Sequence, residues 1–229
     1  GKKALDFLIK ASKHRKHIEV DFFGGEPLLN FEVCKELVKY GREQGKIHDK
    51  IFKFTMTTNG VLLSDEVQKF LNDEGISAVL SLDGRPEVND KMRQFPNGTG
   101  SYANIVPKFK HFADSRNGLE YYLRGTYTHW NRDFFEDVKH MVDAGFKEIS
   151  VEPVVAPKEM SYALTEEDLP ILYEQYDKLA SHYVEKMEAG EGYNFFHFNV
   201  DLSHGPCLPK RLSGCGSGHD YLAISPEGD

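Results

Sequence analysis

The sequence predicts an α/β chain whose parallel strands alternate with helices and curl into a partial (β/α) barrel. Three observations lead there. Five apolar stretches of strand character each precede a stretch of helical periodicity, the order that gives a parallel sheet with helical crossovers. The unusual residues, Gly24-Gly25-Glu26-Pro27, Asn59-Gly60, Asp83-Gly84, His129-Trp130 and Glu152-Pro153, all fall where those strands end. That rim carries the ligand site in parallel α/β folds, and a curled sheet focuses five strand ends on one site more readily than a flat one.

The elements follow in chain order. Leu5, Leu8 and Ile9 recur at helical spacing with no capping residue before them, so the chain is expected to open inside a helix. Ile18, Val20 and Phe22 alternate with Glu19 and Asp21, the period of a strand. Asn30 is placed to cap a helix whose Cys34, Leu37 and Val38 share one face. A second strand, Phe52, Phe54 and Met56, ends at Thr57-Thr58-Asn59-Gly60. Ser64 caps the next helix, with Val67, Phe70 and Leu71 inward and Gly75 as its stop. Val79-Leu80-Ser81-Leu82 reads as a buried strand ending at Asp83-Gly84. Ile105, Phe109 and Phe112 mark a helix, and Tyr122 to Tyr127 a strand with Arg124 and Thr126 on one face. Phe134, Phe135, Val138, Met141 and Val142 form a helical stripe stopped by Gly145; Ile149, Val151 and Pro153 give the fifth strand. Thr165 to Asp168 has the form of a capping box before the longest helix, lined by Leu172, Tyr176, Leu179, Tyr183 and Met187.

Beyond Gly190 the character changes. Asn194 to Asp201 reads as an aromatic strand, and Cys207 to Gly218 is rich in Gly, Ser and Cys. The expected organisation is a barrel over residues 1–190, then a connector and the start of a smaller module over 191–229. The closing Ser225-Pro226-Glu227-Gly228-Asp229 is a turn sequence expected to lead into further chain.

Composition narrows the function. Lys and Arg number 28 against 36 Asp and Glu, a formal charge of −8, which disfavours polyanionic partners such as nucleic acid. No apolar run reaches the roughly 18 to 20 residues of a membrane helix, and the first residues lack the pattern of a secretory signal. Three cysteines are too few and too odd for an extracellular disulfide framework, so a reducing, cytoplasmic setting is expected.

Phe22-Phe23-Gly24-Gly25-Glu26-Pro27-Leu28 is the sharpest local signal. Two glycines at a strand end let backbone approach a ligand closely, and a following carboxylate can accept charge-assisted hydrogen bonds from an amine. An ordinary strand-to-helix turn accounts for the same four residues. A phosphate loop does not, because the Lys-Ser/Thr pair is absent. Asn59 can simply close a turn. Cys34, beside Leu37 and Val38, reads as a buried apolar thiol. Cys207 and Cys215 sit among Gly, Pro and Ser in a segment able to wrap a metal cluster. His14 and His17 read as solvated surface at the end of a basic helix, and His197, between Phe196 and Phe198, as a core histidine.

DFFGGEPL resembles the GGEP motif of radical S-adenosylmethionine (AdoMet) enzymes, and TTNG at 57–60 and SLDG at 81–84 are similar to the next strand ends of that family. Asn89-Asp90-Lys91-Met92-Arg93 followed by Gly98-Thr99-Gly100-Ser101-Tyr102 resembles its peptide-modifying branch with a SPASM or twitch extension. DFFGGEPLLNF, YYLRGTYT, ISVEPVVAP, FNVDLSHGPC and SGCGSGHDYLAISPEGD resemble the maturases of SCIFF peptides. The resemblance implies AdoMet contacts from Gly24, Gly25 and Glu26 at the amino group. It implies further contacts from Ser81 and Asp83 on the ribose side, and near Glu152 to Val154 at the adenine end. Asn59 belongs to the same strand-end set. Arg124 is the candidate for the AdoMet carboxylate, with Arg93 as a second; a buried ion pair with a rim carboxylate is the competing role for Arg124.

The family's Cys-x-x-x-Cys-x-x-Cys motif, which holds the catalytic 4Fe–4S cluster, is absent from these 229 residues and is expected upstream of Gly1. Cys215 and Gly228 fit the opening of the auxiliary-cluster domain, and Cys207 resembles its additional ligand; zinc is the competing metal. The resemblance implies a radical enzyme that joins a Cys sulfur to an α-carbon, of Thr in the SCIFF case, within a Cys-rich precursor peptide. Flavodoxin or ferredoxin is the implied electron donor. Formylglycine formation by an anaerobic sulfatase maturase uses similar motifs, and a non-catalytic peptide- or AdoMet-binding scaffold fits a chain without the three-cysteine motif.

Overall fold

The structure is a computed structural model that describes residues 1–199, 221–225 and 227–228. In chain order the elements are α1 (Lys2–Ala11), β1 (His17–Phe22), α2 (Phe31–His48), β2 (Ile51–Thr58), α3 (Asp65–Asp73) and β3 (Ser77–Ser81). Then follow α4 (Pro86–Met92), α5 (Tyr102–Ser115), β4 (Tyr121–Tyr127), α6 (Phe134–Asp143), β5 (Glu148–Pro153), α7 (Leu169–Glu188) and β6 (Asn194–Phe195). All six strands are parallel and lie in the order β1-β2-β3-β4-β5-β6.

That order selects between the two architectures open to alternating strands and helices. A doubly wound sheet reverses its strand order once, which puts helices on both faces. Here the order never reverses, so right-handed crossovers set every connecting helix on the same face. The sheet is the α/β half-barrel expected.

The helix-covered face is apolar. Ile18, Phe52, Phe54, Met56, Ala78, Leu80, Leu123, Tyr127, Ile149, Val151 and Phe195 are buried in it, packed against Leu5, Val38, Leu71, Phe109, Phe112, Val138 and Met141 from the helices. The period of two then puts Glu19, Asp21, Lys53, Thr55, Thr57, Ser81, Arg124, Thr126 and Glu152 on the opposite face, and the register confirms it through Asp21 opposite Thr55, Ser81 opposite Arg124 and Thr126 opposite Glu152. Most of these residues are half-buried or exposed.

Local details refine the expected elements. Ser64 accepts from the Val67 amide, and Thr165 with Asp168 forms the capping box. Asn30 occupies the N-cap of α2 but makes no side-chain bond there; the turn before it is capped instead by Glu26, which accepts from the Leu28 amide. β3 is not buried throughout: it alternates, with Ala78 and Leu80 inside and Val79 and Ser81 half-exposed on the other face. Met187 is 53% exposed, because two successive steps of four residues from Leu179 overshoot the 3.6-residue turn. Among the described residues, the aromatic segment after Gly190 is strand at Asn194–Phe195 and then a 3₁₀ turn at Phe196–Phe198, so the sheet reaches residue 195. His17 begins β1 rather than ending a helix, and remains exposed. Among the described residues no helix is long and apolar enough to cross a membrane.

Candidate functional site

Each of the first five strands carries a polar side chain on the helix-free face at or near its carboxyl end: Asp21, Thr57, Ser81, Thr126 with Arg124 one step before it on that face, and Glu152. This is the carboxyl rim at which parallel barrels assemble their chemistry.

At the end of β1, Gly24 and Gly25 both adopt the left-handed conformation, with φ of +78° and +51°. A side chain at either would be strained by the backbone alone. Nothing lies within 4 Å of where a Cβ would stand, so both glycines border open space that a ligand can enter. The following carboxylate has a job inside the protein. Glu26 Oε1 accepts from the Leu28 amide at 3.1 Å and from Thr58 Oγ1 at 2.8 Å, and Oε2 accepts from the Asn59 amide at 2.7 Å. Glu26 therefore pins the end of β1 to the end of β2. Since an ionised carboxylate offers about four acceptor directions, one remains for a further donor. Asn59 closes its own turn by accepting from the Val61 amide at 2.9 Å.

Asp83, just past β3, is 3% exposed, and Arg93 grips both its oxygens at 2.8 and 2.9 Å. Oδ1 also accepts from the Thr126 amide at 3.0 Å. Asp83, expected on the ribose side, and Arg93, the second candidate for the AdoMet carboxylate, thus meet in a brace between the ends of β3 and β4. Ser81 remains half-exposed, with no hydrogen-bond partner for its hydroxyl among the described residues.

Arg124 makes the ion pair weighed as its competing role, with Glu152 at 2.7 Å; the pair is 45% and 34% exposed rather than buried. Burial opposes ionisation of Glu152, but the Arg124 hydrogen bond and charge outweigh it and lower its carboxyl below the ordinary range. Asp21, which the motif reading passed over, faces the same guanidinium. Desolvation of its carboxyl pushes it up, while Arg124 and a hydrogen bond from Thr57 act the other way. Its alternation with Ile18, Val20 and Phe22 was the signal that placed it on this face. Thr58, the second binder of Glu26, was equally visible within TTNG but only as part of a turn.

Cys34 is buried, and desolvation pushes its thiol up to about 11, the setting of an apolar thiol within the core. Cys207 and Cys215 lie outside the described residues. Among the described residues no group of three or more His, Cys, Asp or Glu could hold a metal. Two surface hollows, of about 660 and 500 Å³, open at the amino ends of the strands, away from this rim.

These features define a parallel, partial (β/α) barrel with its polar rim at the carboxyl ends of the strands. Residues 1–107 match the model of a 4Fe-4S single cluster domain, although Cys34 is the one cysteine in that span. The chain is 27% identical over 163 residues to an uncharacterized protein of Methanocaldococcus jannaschii, covering 71% of this chain and 54% of that protein. It is 22% identical over 137 residues to the radical SAM cyclopropyl synthase TigE of Paramaledivibacter caminithermalis, covering 58% of this chain and 27% of the relative. The solved structure of native anSMEcpe with bound AdoMet and Cp18Cys peptide shares the fold, with a TM-score of 0.74 at 20% identity over 93% of this chain and 58% of that one. The chain thus spans about half the length, or less, of the relatives it matches. The matched model is thus that of an iron–sulfur domain, and the matched solved structure is one with AdoMet bound.

Proposed function

We propose that the protein acts as a radical AdoMet maturase of a ribosomally made, Cys-rich peptide and joins a Cys sulfur to an α-carbon, of Thr by the SCIFF resemblance, as an intramolecular thioether. One observation carries the cofactor part: two left-handed glycines bordering open space beside a ring of one polar side chain per strand. When bound, AdoMet and a reduced cluster supply a 5′-deoxyadenosyl radical that removes a hydrogen from the peptide.

The chain's own residues then have distinct tasks. Gly24 and Gly25 receive the methionyl amino end, and the remaining acceptor direction of Glu26 faces the ammonium. Arg124, already aligned by Glu152, offers its other guanidinium N–H groups to the AdoMet carboxylate. Ser81 takes a ribose hydroxyl, and the β5 end from Glu152 to Val154 borders the adenine. Asn59 and Asp83 hold this frame from behind, Asn59 through its turn and Asp83 through Arg93. The barrel portion, expected over 1–190, extends through β6 to residue 195, and the chain beyond it leads into an auxiliary-cluster module, for which Cys207 and Cys215 are the ligands. The low-potential electron donor is a flavodoxin or ferredoxin.

The test is anaerobic reconstitution of the full-length protein, with iron counted per chain and deoxyadenosine assayed with and without a Cys-rich peptide. Thioether formation removes two hydrogens and blocks one thiol. An aldehyde product would instead mark formylglycine chemistry, and peptide binding without deoxyadenosine would mark a scaffold.

A further inference from the structure

The rim holds a titratable pair that the cofactor site leaves unused. His129 stands just beyond β4, and its Nδ1 lies 2.9 and 3.1 Å from the two oxygens of Asp168. Asp168 is fully buried and also accepts from Arg132 Nη1 at 3.2 Å, the Thr165 amide at 2.9 Å and Thr165 Oγ1 at 3.2 Å. Burial opposes its ionisation, yet the hydrogen bonds from the Thr165 backbone and from His129 outweigh that and hold the carboxyl below the ordinary aspartate range. An ionised carboxylate only accepts, so Nδ1 must carry a proton, and in the neutral imidazole Nε2 then presents the lone pair. Nε2 has no hydrogen-bond partner among the described residues, and the His129 side chain is 42% exposed.

Connections from three consecutive strands converge at this point. Lys91 of α4 lies 3.9 Å over the ring of Trp130, the residue after His129. Tyr162, from the segment after β5, packs edge-on against Trp130, and its carbonyl accepts from the His129 amide at 3.0 Å. An imidazole fixed in one tautomer by a buried carboxylate, with its other nitrogen open at the rim of a barrel, is the geometry of a general base.

We propose that His129 is the base that takes the proton of a substrate cysteine thiol at the barrel mouth, with Asp168 as its positioning residue. The step is a plain proton transfer. The S–H bond breaks, an Nε2–H bond forms, sulfur keeps the electron pair as thiolate, and the imidazolium is balanced by Asp168. A free thiol with a pKa near 8.5 is mostly protonated at neutral pH, so a local base raises the reactive fraction. The inference rests on the reading above that a Cys-rich peptide is the substrate.

The test uses the full-length enzyme with its clusters and two readouts. Diethyl pyrocarbonate acylates exposed, unprotonated imidazole nitrogen, and peptide mapping should find His129 modified in the free enzyme and shielded by the Cys-rich peptide. His129→Asn keeps an N–H donor toward Asp168 but has no base. Deoxyadenosine release should persist while thioether product falls about a hundredfold, with partial recovery on adding imidazole. Equal modification with and without peptide, or wild-type thioether yield from His129→Asn, overturns the proposal. If the peptide shields His129 but the wild-type enzyme forms no thioether, the thioether reading fails and the rim base stands.

Discussion

The two faces of the sheet obey different rules. On the helix-covered face, Phe54, Met56, Leu80, Leu123, Ile149 and Val151 have essentially no exposed surface, and their neighbours are apolar. On the other face the same strands carry Glu19, Asp21, Lys53, Thr57, Ser81, Arg124 and Glu152, partly open to solvent. Parallel sheets are ordinarily buried on both sides by hydrophobic residues. A parallel sheet with one charged face therefore separates its work: one surface holds the fold together, and the other keeps polar groups ready for something that is not protein core.

That division can be broken or sharpened by substitution. The largest loss is expected from Phe54→Ala on the packed face, about 3–5 kcal/mol for a fully buried ring, read as a shifted midpoint in urea denaturation. Asp83→Ala comes next: it strands Arg93 and frees the Thr126 amide, and should cost about 3 kcal/mol, with a loosened β3–β4 rim seen as faster amide exchange at Thr126. Gly25→Ala should cost about 1–2 kcal/mol through its left-handed backbone alone and should weaken AdoMet binding by calorimetry. Arg124→Gln should change stability by less than about 1 kcal/mol, as for a solvent-exposed pair, while lowering AdoMet affinity about tenfold or more. An equal stability loss from Arg124→Gln and Phe54→Ala would erase the distinction between the faces.

Asp21→Asn should give the smallest effect, in the opposite direction. The Asp21 carboxyl is held above its ordinary value of 3.8 by desolvation, so the folded state binds its proton more tightly than the unfolded state. Stability from this group then falls as pH rises through the interval above 3.8 and is unaffected below it. Asp21→Asn should be slightly more stable than the wild type at neutral pH and should lack that portion of the pH dependence. Thermal melts at several pH values would show whether the wild type and the variant converge in acid.

The strands, their order of appearance and the motif positions were legible because they rest on local periodicity. Ile18-Val20-Phe22 and Phe52-Phe54-Met56 announce their faces within a few residues. Glu26 was legible as important but not in its role, because its partners Thr58 and Asn59 are more than thirty residues away and approach it only after β1 and β2 pair in register. Arg93 and Asp83 show the same limit: ten residues apart, they meet because α4 between them carries its C-terminal end back to the tip of β3, and no pattern in the sequence says that the arginine will pair with the aspartate. His129 was visible at a strand end, while Asp168, thirty-nine residues later, read only as a helix cap.

The brace at Asp83 has a consequence for how such a barrel can change. It locks the tips of two central strands to each other through one carboxylate, an arginine and a backbone amide, all drawn from the scaffold. The segments that leave those tips can accept insertions, as surface connections generally do, without displacing their points of attachment. A lineage carrying this knot is free to remodel the mouth for one guest after another while its foundations stay put.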